Sequence, residues 1–276
     1  MASSKTRIIV VAPARNLPEG AATLVRALAS RLYGDAVDLV FHAQCFLSEG
    51  HFAGPDSARD AAMTEAANDP DAAAVWFARG GYGSGRLAPD LFDRFGPAAR
   101  SKKYLGYSDL GFLLARLDAA GVGQPAHGPM PNDIVRPGGE AAVARALKWL
   151  VEDDEGSVEP HRIPSAPRVA FNAIVLASAL LASPGVRLAG RILMLEEIGE
   201  QLYAFDRAVG AILSSDAARG LAGVRLGRVL DTPENDPPFE RTPEEIVRFW
   251  CDRVGVPYLG PANIGHDADN MVVPFT

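Results

Sequence analysis

Cysteine is nearly absent: the 276 residues include only Cys45 and Cys251. Two thiols so far apart support neither a disulfide framework nor a cysteine-built zinc site. Histidine is scarce too. His42, His51, His127, His161 and His266 are scattered, with no H-E-x-x-H pair, so the sequence offers no metal site. No cluster of Lys or Arg interrupts a net charge of −7, which excludes the basic surface that nucleic acid requires. The longest uncharged stretch, between Arg168 and Arg187, is broken by Asn172, Ser178, Ser183, Pro184 and Gly185. It reads as a buried Ala-rich helix rather than a membrane span. The apolar run from Ile8 to Ala12 is too short for the core of a signal peptide. No G-K-[ST] is present, which excludes a P-loop, and no internal repeat is visible. The expectation is a cytoplasmic protein without cofactor or membrane partner.

What remains is an ordinary globular balance, 48% hydrophobic and 22% charged, long enough for one large or two modest domains. The first half alternates apolar runs and amphipathic segments. Strands are expected at 7–12, 37–42, 73–78 and 103–108. Between them come a helix with Leu24, Leu28 and Leu32 on one stripe, stopped by Gly34, and a helix capped by Asp56 or Ser57. A third helix carries Leu110, Leu113, Leu114 and Leu117, and a fourth, at 138–152, turns Val143, Ala146, Leu147 and Leu150 inward. Such alternation predicts a parallel sheet with ligands beyond the carboxyl ends of its strands. The acidic, then Pro-rich, stretch 152–167 suits a linker, giving domains at 1–151 and 168–276. The second half predicts helices around 170–182, through Arg207 to Leu213, and at 243–254, with a strand at 191–195.

Four segments could carry chemistry. Gly106-Tyr107-Ser108-Asp109 sets a serine where a strand turns into a helix, whose N-terminal amides could steady an oxyanion. Position 110 is Leu, so the full G-x-S-x-G elbow is not met, and alone the segment is more simply a helix cap. Arg79-Gly80-Gly81-Tyr82-Gly83-Ser84-Gly85-Arg86 follows a strand and could cradle an anion; a tight turn without ligand is about equally good. Its loose fit to G-x-G-x-x-A lies outside the first βαβ unit and is weak support for a nucleotide. Leu193-Met194-Leu195-Glu196-Glu197 ends an apolar strand in carboxylates that could orient an imidazole, or simply form a salt bridge. Gly265-His266-Asp267 offers a loop histidine near the working pH as a general base, with His127 in competition. Serine, glutamate and histidine together can make a nucleophile, an orienter and a base, but only geometry establishes a triad.

Taken together, these residues resemble the LD-carboxypeptidase family of serine peptidases, which includes the microcin immunity peptidases. The likeness is carried by the opening Val-Ala-Pro, Phe52-Ala53-Gly54 with Arg59, and Trp76-Phe77-Ala78-Arg79-Gly80-Gly81-Tyr82-Gly83. Gly106-Tyr107-Ser108-Asp109, His127-Gly128-Pro129, Leu195-Glu196, Tyr203 with Asp206-Arg207, and Gly265-His266 complete it. The resemblance implies a triad of Ser108, Glu196 and His266, and an oxyanion hole from the backbone amides of Gly81 and Asp109. It implies an α/β fold: an N-terminal parallel-sheet α/β domain with a smaller, β-rich α+β C-terminal domain, the active site between them, in a homodimer. The implied reaction cleaves an L,D-amide bond and releases terminal D-Ala from a cytoplasmic murein tetrapeptide, a step of peptidoglycan recycling. Arg79, Arg86 and Arg207 are candidates for the peptide carboxylate and Tyr82 for a substrate contact. Two departures flank the expected site: Ala170-Phe171-Asn172 replaces a usual Gly-Gly-Asn, and the sequence stops soon after His266. Two further readings stand beside this one. The first is an immunity-type hydrolase of a peptide-nucleotide antibiotic, which would need aromatic stacking for a base near the site, where the sequence does not place Trp149 or Trp250. The second is an anion- or peptide-binding protein without catalysis.

Overall fold

The apolar run after Arg7 becomes β1 (Thr6–Val11), buried along its second half as a central parallel strand should be. In the computed structural model, which describes residues 5–160, 166–183 and 185–276, β1 leads to α1 (Glu19–Tyr33) and β2 (Val37–Phe41). Next come α2 (Asp56–Asn68), β3 (Ala72–Phe77), β4 (Lys103–Gly106), α3 (Gly111–Ala119), β5 (Gln124–His127) and α4 (Gly139–Glu152). The second half adds β6 (Arg168–Asn172), α5 (Ala173–Ala182), β7 (Ile192–Ile198), α6 (Leu202–Leu213) and β8 (Gly223–Leu230). It ends with α7 (Pro243–Val254), β9 (Tyr258–Pro261) and β10 (Val273–Pro274). Among the described residues no helix is long and apolar enough to cross a membrane.

Two sheets result. The first has the order β10-β5-β4-β3-β1-β2 and is parallel except for β10, which runs antiparallel to β5. The second, β6-β7-β8-β9, is parallel throughout, with α5, α6 and α7 between its strands. The smaller unit is thus built from strand-helix-strand crossovers like the larger one. Its strand content exceeds the sequence expectation because β6 and β8 give weak signals. β6 is five residues running straight into α5, and β8 carries Arg225, whose charge is buried only because Glu159 takes it in two hydrogen bonds of 2.6 and 2.8 Å. β5 also escapes notice, as four residues that include a proline.

Three further expectations change. Leu24 and Leu32 are 51% and 38% exposed, and α1 buries Ala21, Ala22, Val25, Leu28 and Ala29 instead. Small residues let the helix lie close to the sheet, and of the leucine stripe only Leu28 reaches the buried face. Asp56 opens α2 without capping it; Pro55 holds that position, and the carboxylate pairs with Arg59 and Arg86. The Ala-rich α5 is buried on one side only, with Leu181 91% exposed.

The stretch expected to be a linker is packed where described. Glu159 is buried on Arg225, and Val158 bridges to Val272; residues 161–165 lie outside the described residues. One apolar cluster joins both sheets, from Phe77 and Tyr104 through Leu113 to Phe171, Leu195 and Phe205. The carboxyl ends of β3, β4 and β7 open onto one region, where the candidate site lies.

Candidate active site

Ser108 lies two residues past the end of β4 and adopts φ 59°, one of three non-glycine residues in the left-handed region among the described residues. A serine there costs on the order of 1–3 kcal/mol and persists only where its surroundings hold it. They do so through Asp109. Its carboxylate accepts the Ser84 amide at 2.8 Å, and its backbone carbonyl accepts the Ser84 hydroxyl at 2.6 Å. Burial pushes the Asp109 carboxyl up, against the hydrogen bonds from Ser84. The Gly-rich turn after β3 and the serine turn after β4 are therefore locked together, which brings the backbone at Gly81 and Asp109 to one place. Gly81 has φ 116°, and a Cβ there would lie 2.2 Å from Arg15 Cδ, so only glycine fits.

The imidazole comes from the loop after β9. His266 Nδ1 meets Glu196 Oε2 at 2.6 Å, both groups being buried. Burial works against the imidazolium, but the Glu196 carboxylate outweighs it and holds the His266 pKa above its ordinary value. With Nδ1 engaged by the carboxylate, Nε2 is the nitrogen left to act; it is buried and has no hydrogen-bond partner among the described residues. Ser108 and His266 both line two adjoining cavities. The His266 loop is fixed from several sides. Arg136 Nη1 donates to the His266 carbonyl at 2.6 Å and to Tyr107 Oη at 3.1 Å. The Tyr107 ring packs 4.7 Å from the imidazole, and Arg228 holds Asp267 through Nη2–Oδ1 at 2.7 Å.

His127, the competing histidine, lies in the sheet. It is buried at the end of β5, bonded to Asn270 Oδ1 at 3.2 Å, and burial pushes its pKa down to about 4. The neighbouring carboxylates divide by face. Glu196 meets His266, whereas Glu197 accepts the amides of Ile174 and Ile198 and the Asn172 side chain, and burial pushes it up to about 7. Asn172 also caps α5, accepting the Val175 amide.

The other expected contacts separate. Arg79 lines the smaller cavity with Ser108. Tyr82 is exposed at the rim of the larger one, beside Phe52 and His51. Arg86 points away, bound to Asp56 at 2.9 Å, and Arg207 lies against the Tyr203 ring beside a separate apolar cavity between α5 and α6. Neither lines a cavity that contains Ser108, because the turn after Gly83 carries Arg86 outward and α6 lies behind α5. Trp149 is buried in α4 and Trp250 bonds to Asp206, so neither lines these cavities. Arg15 and Arg136, absent from the sequence-based set, do line the smaller cavity. For Arg15 a signal existed: it follows β1, at the same sheet edge as Arg79. Among the described residues, no three His, Cys, Asp or Glu side chains gather as a metal would require.

Comparison with known proteins agrees with this architecture. Residues 8–128 match the LD-carboxypeptidase N-terminal domain and residues 170–276 the LD-carboxypeptidase C-terminal domain. The murein tetrapeptide carboxypeptidase of Pseudomonas aeruginosa is 28% identical over 288 residues, spanning 98% of this chain and 91% of that protein. Among solved structures, muramoyltetrapeptide carboxypeptidase from Oxalobacter formigenes superposes with a TM-score of 0.76 at 21% identity, over 97% of this chain and 92% of the other. The microcin C7 self-immunity protein gives the same TM-score at 16% identity, over 100% and 92%. With both domains matched over most of its length, the chain belongs to the LD-carboxypeptidase family.

Proposed function

We propose that the protein is a serine carboxypeptidase that cleaves an L,D-amide bond and releases terminal D-Ala from a murein tetrapeptide. The observation that carries this reading is the buried Glu196–His266 pair, with the second imidazole nitrogen unpartnered in a cavity shared with Ser108. In the reaction, Ser108 Oγ attacks the amide carbon while His266 Nε2 takes its proton. The Gly81 and Asp109 amides receive the oxyanion, each donor contributing about 3 kcal/mol. His266 then passes the proton to the departing nitrogen, and D-Ala leaves. Water attacks the acyl-serine, His266 takes its proton, and Ser108 is restored. Glu196 keeps the ring in the right tautomer and offsets the charge it gains.

Under this reading the substrate is a cytoplasmic peptide of peptidoglycan recycling, and the active form is a homodimer. A fluorophosphonate probe and a murein tetrapeptide test the chemistry. The intact protein is expected to be labelled and to release D-Ala; Ser108→Ala is expected to lose both. Labelling that survives Ser108→Ala, or a folded protein that is neither labelled nor active, overturns the reading and favours a binding protein. Labelling without D-Ala release moves the substrate to another amide, such as the peptide-nucleotide of the immunity-type reading.

A further inference from the structure

The two cavities that meet at Ser108 and His266 differ in size and charge. The larger, about 540 Å³, borders α5 and includes Asp109, Glu197 and Glu200, with Arg136 as its one arginine. The smaller, about 180 Å³, is bounded by Arg15, Arg79 and Arg136, with Asp133 as its one carboxylate. Sites for drug-sized ligands run to roughly 300–1,000 Å³, so this one admits a fragment the size of a small amino acid. Gathering three guanidinium groups around it is unfavourable without an anion. Burial and the neighbouring charges of Arg15 and Arg136 lower the pKa of Arg79. Among the described residues, only Arg136 is offset by a carboxylate. Its Nε lies 3.4 Å from Asp133 Oδ1, and its Nη1 is taken by Tyr107 and the His266 carbonyl. Arg15 and Arg79 have no carboxylate partner among the described residues; Arg79 makes one long hydrogen bond, 3.4 Å to the Asn16 carbonyl. The Arg15 stem passes under Gly81, so its position is set by the turn assigned to the oxyanion.

We infer that Arg15 and Arg79 together bind the free carboxylate of the departing residue, and that Arg136 is a positioning residue for the His266 loop. The inference rests on the hydrolase reading. It gives a physical basis for exopeptidase action: a chain continuing past the leaving residue would lack the carboxylate and exceed the volume. The larger cavity then holds the rest of the peptide.

The test compares kcat and KM for a tetrapeptide acid and its C-terminal primary amide, using the full chain, Arg15→Gln, Arg79→Gln and Arg79→Lys. The unaltered protein should favour the acid by about 10- to 100-fold in kcat/KM, as expected for charge-assisted contacts. Each glutamine variant should lose most of that preference, chiefly through a higher KM for the acid. Arg79→Lys, which keeps the charge without the fork, should fall between. Fluorophosphonate labelling of Ser108 at the normal rate reports an intact site in each variant; if a glutamine variant fails to fold, the lysine variant carries the test through its intermediate preference. Cleavage with an acid preference unaltered in all folded variants overturns this inference alone. Absence of labelling and of any cleavage in the unaltered protein overturns the hydrolase reading, and this one with it.

Discussion

His266 is where burial and charge oppose each other most directly. The Glu196 carboxylate raises its pKa, so the neutral imidazole that can accept a proton forms only above an elevated pH. The acid limb of kcat/KM for D-Ala release is therefore expected above the ordinary histidine value of 6.5, with activity lost as pH falls through it. In Glu196→Gln the attraction disappears while burial remains. The limb should move to lower pH, and kcat should fall on the order of 10³- to 10⁴-fold as tautomer and orientation are lost. A pH profile of both proteins checks this; an unmoved limb would remove Glu196 from the mechanism. These side chains stood out as candidates because each sits at the end of an element with its own local signature, but each signature alone read at least as well as a cap, a salt bridge or a loop histidine, and their joint roles came from the family resemblance. Arg136 had no such signature. It comes to the site through tertiary contacts with Tyr107 and the His266 carbonyl, which no local pattern records.

The Glu196 carboxylate is aimed by an irregularity in the second sheet. β7 pairs Leu195 with Leu226 and Glu197 with Val229, so Gly227 and Arg228 together oppose Glu196. A Cβ at Gly227 would lie 2.6 Å from the Ile264 carbonyl and 3.0 Å from Glu196 Cβ. Gly227→Ala should thus cost about 1–3 kcal/mol by overpacking. It should also lower kcat, because the strain falls on Glu196 and on the segment leading to His266. Urea unfolding and D-Ala release measure the two effects; lost stability with full activity would contradict the assignment. Thr242 gives the contrasting case. It caps α7 with a capping box on Glu245, away from both cavities. Thr242→Ala should cost about 1 kcal/mol and leave kcat unchanged, as the same two assays can establish. The long amphipathic elements were legible from periodicity, α4 and α7 above all. β5, β6 and β8 were not: β5 is four residues that include a proline, β6 is five residues running straight into α5, and Arg225 hides β8 by needing a partner 66 residues away.

The two matched domains do not separate where the sequence changes character. β10 returns from the second half to pair Val273 with His127 of β5, closing the first sheet, and Val272 bridges to Val158. Phe275, just beyond, packs edge-on at 5.0 Å against Phe171 of the second sheet, and both are buried in the cluster that spans the molecule. Because Ser108 comes from one sheet and Glu196 and His266 from the other side of this seam, the proposed catalytic arrangement depends on the seam staying closed. Unfolding in urea should therefore be a single transition, with loss of helical circular dichroism and of D-Ala release at the same midpoint. Phe275→Ala should lower the stability by about 3–5 kcal/mol and the midpoint with it, because it opens a cavity at an aromatic pair that joins the two sheets. The transition should nevertheless remain single, since the apolar cluster still links Leu113 to Phe171 and Leu195. Two separate transitions in the unaltered protein, with activity following only the first, would mean that the sheets are independent bodies and that the site forms by their encounter.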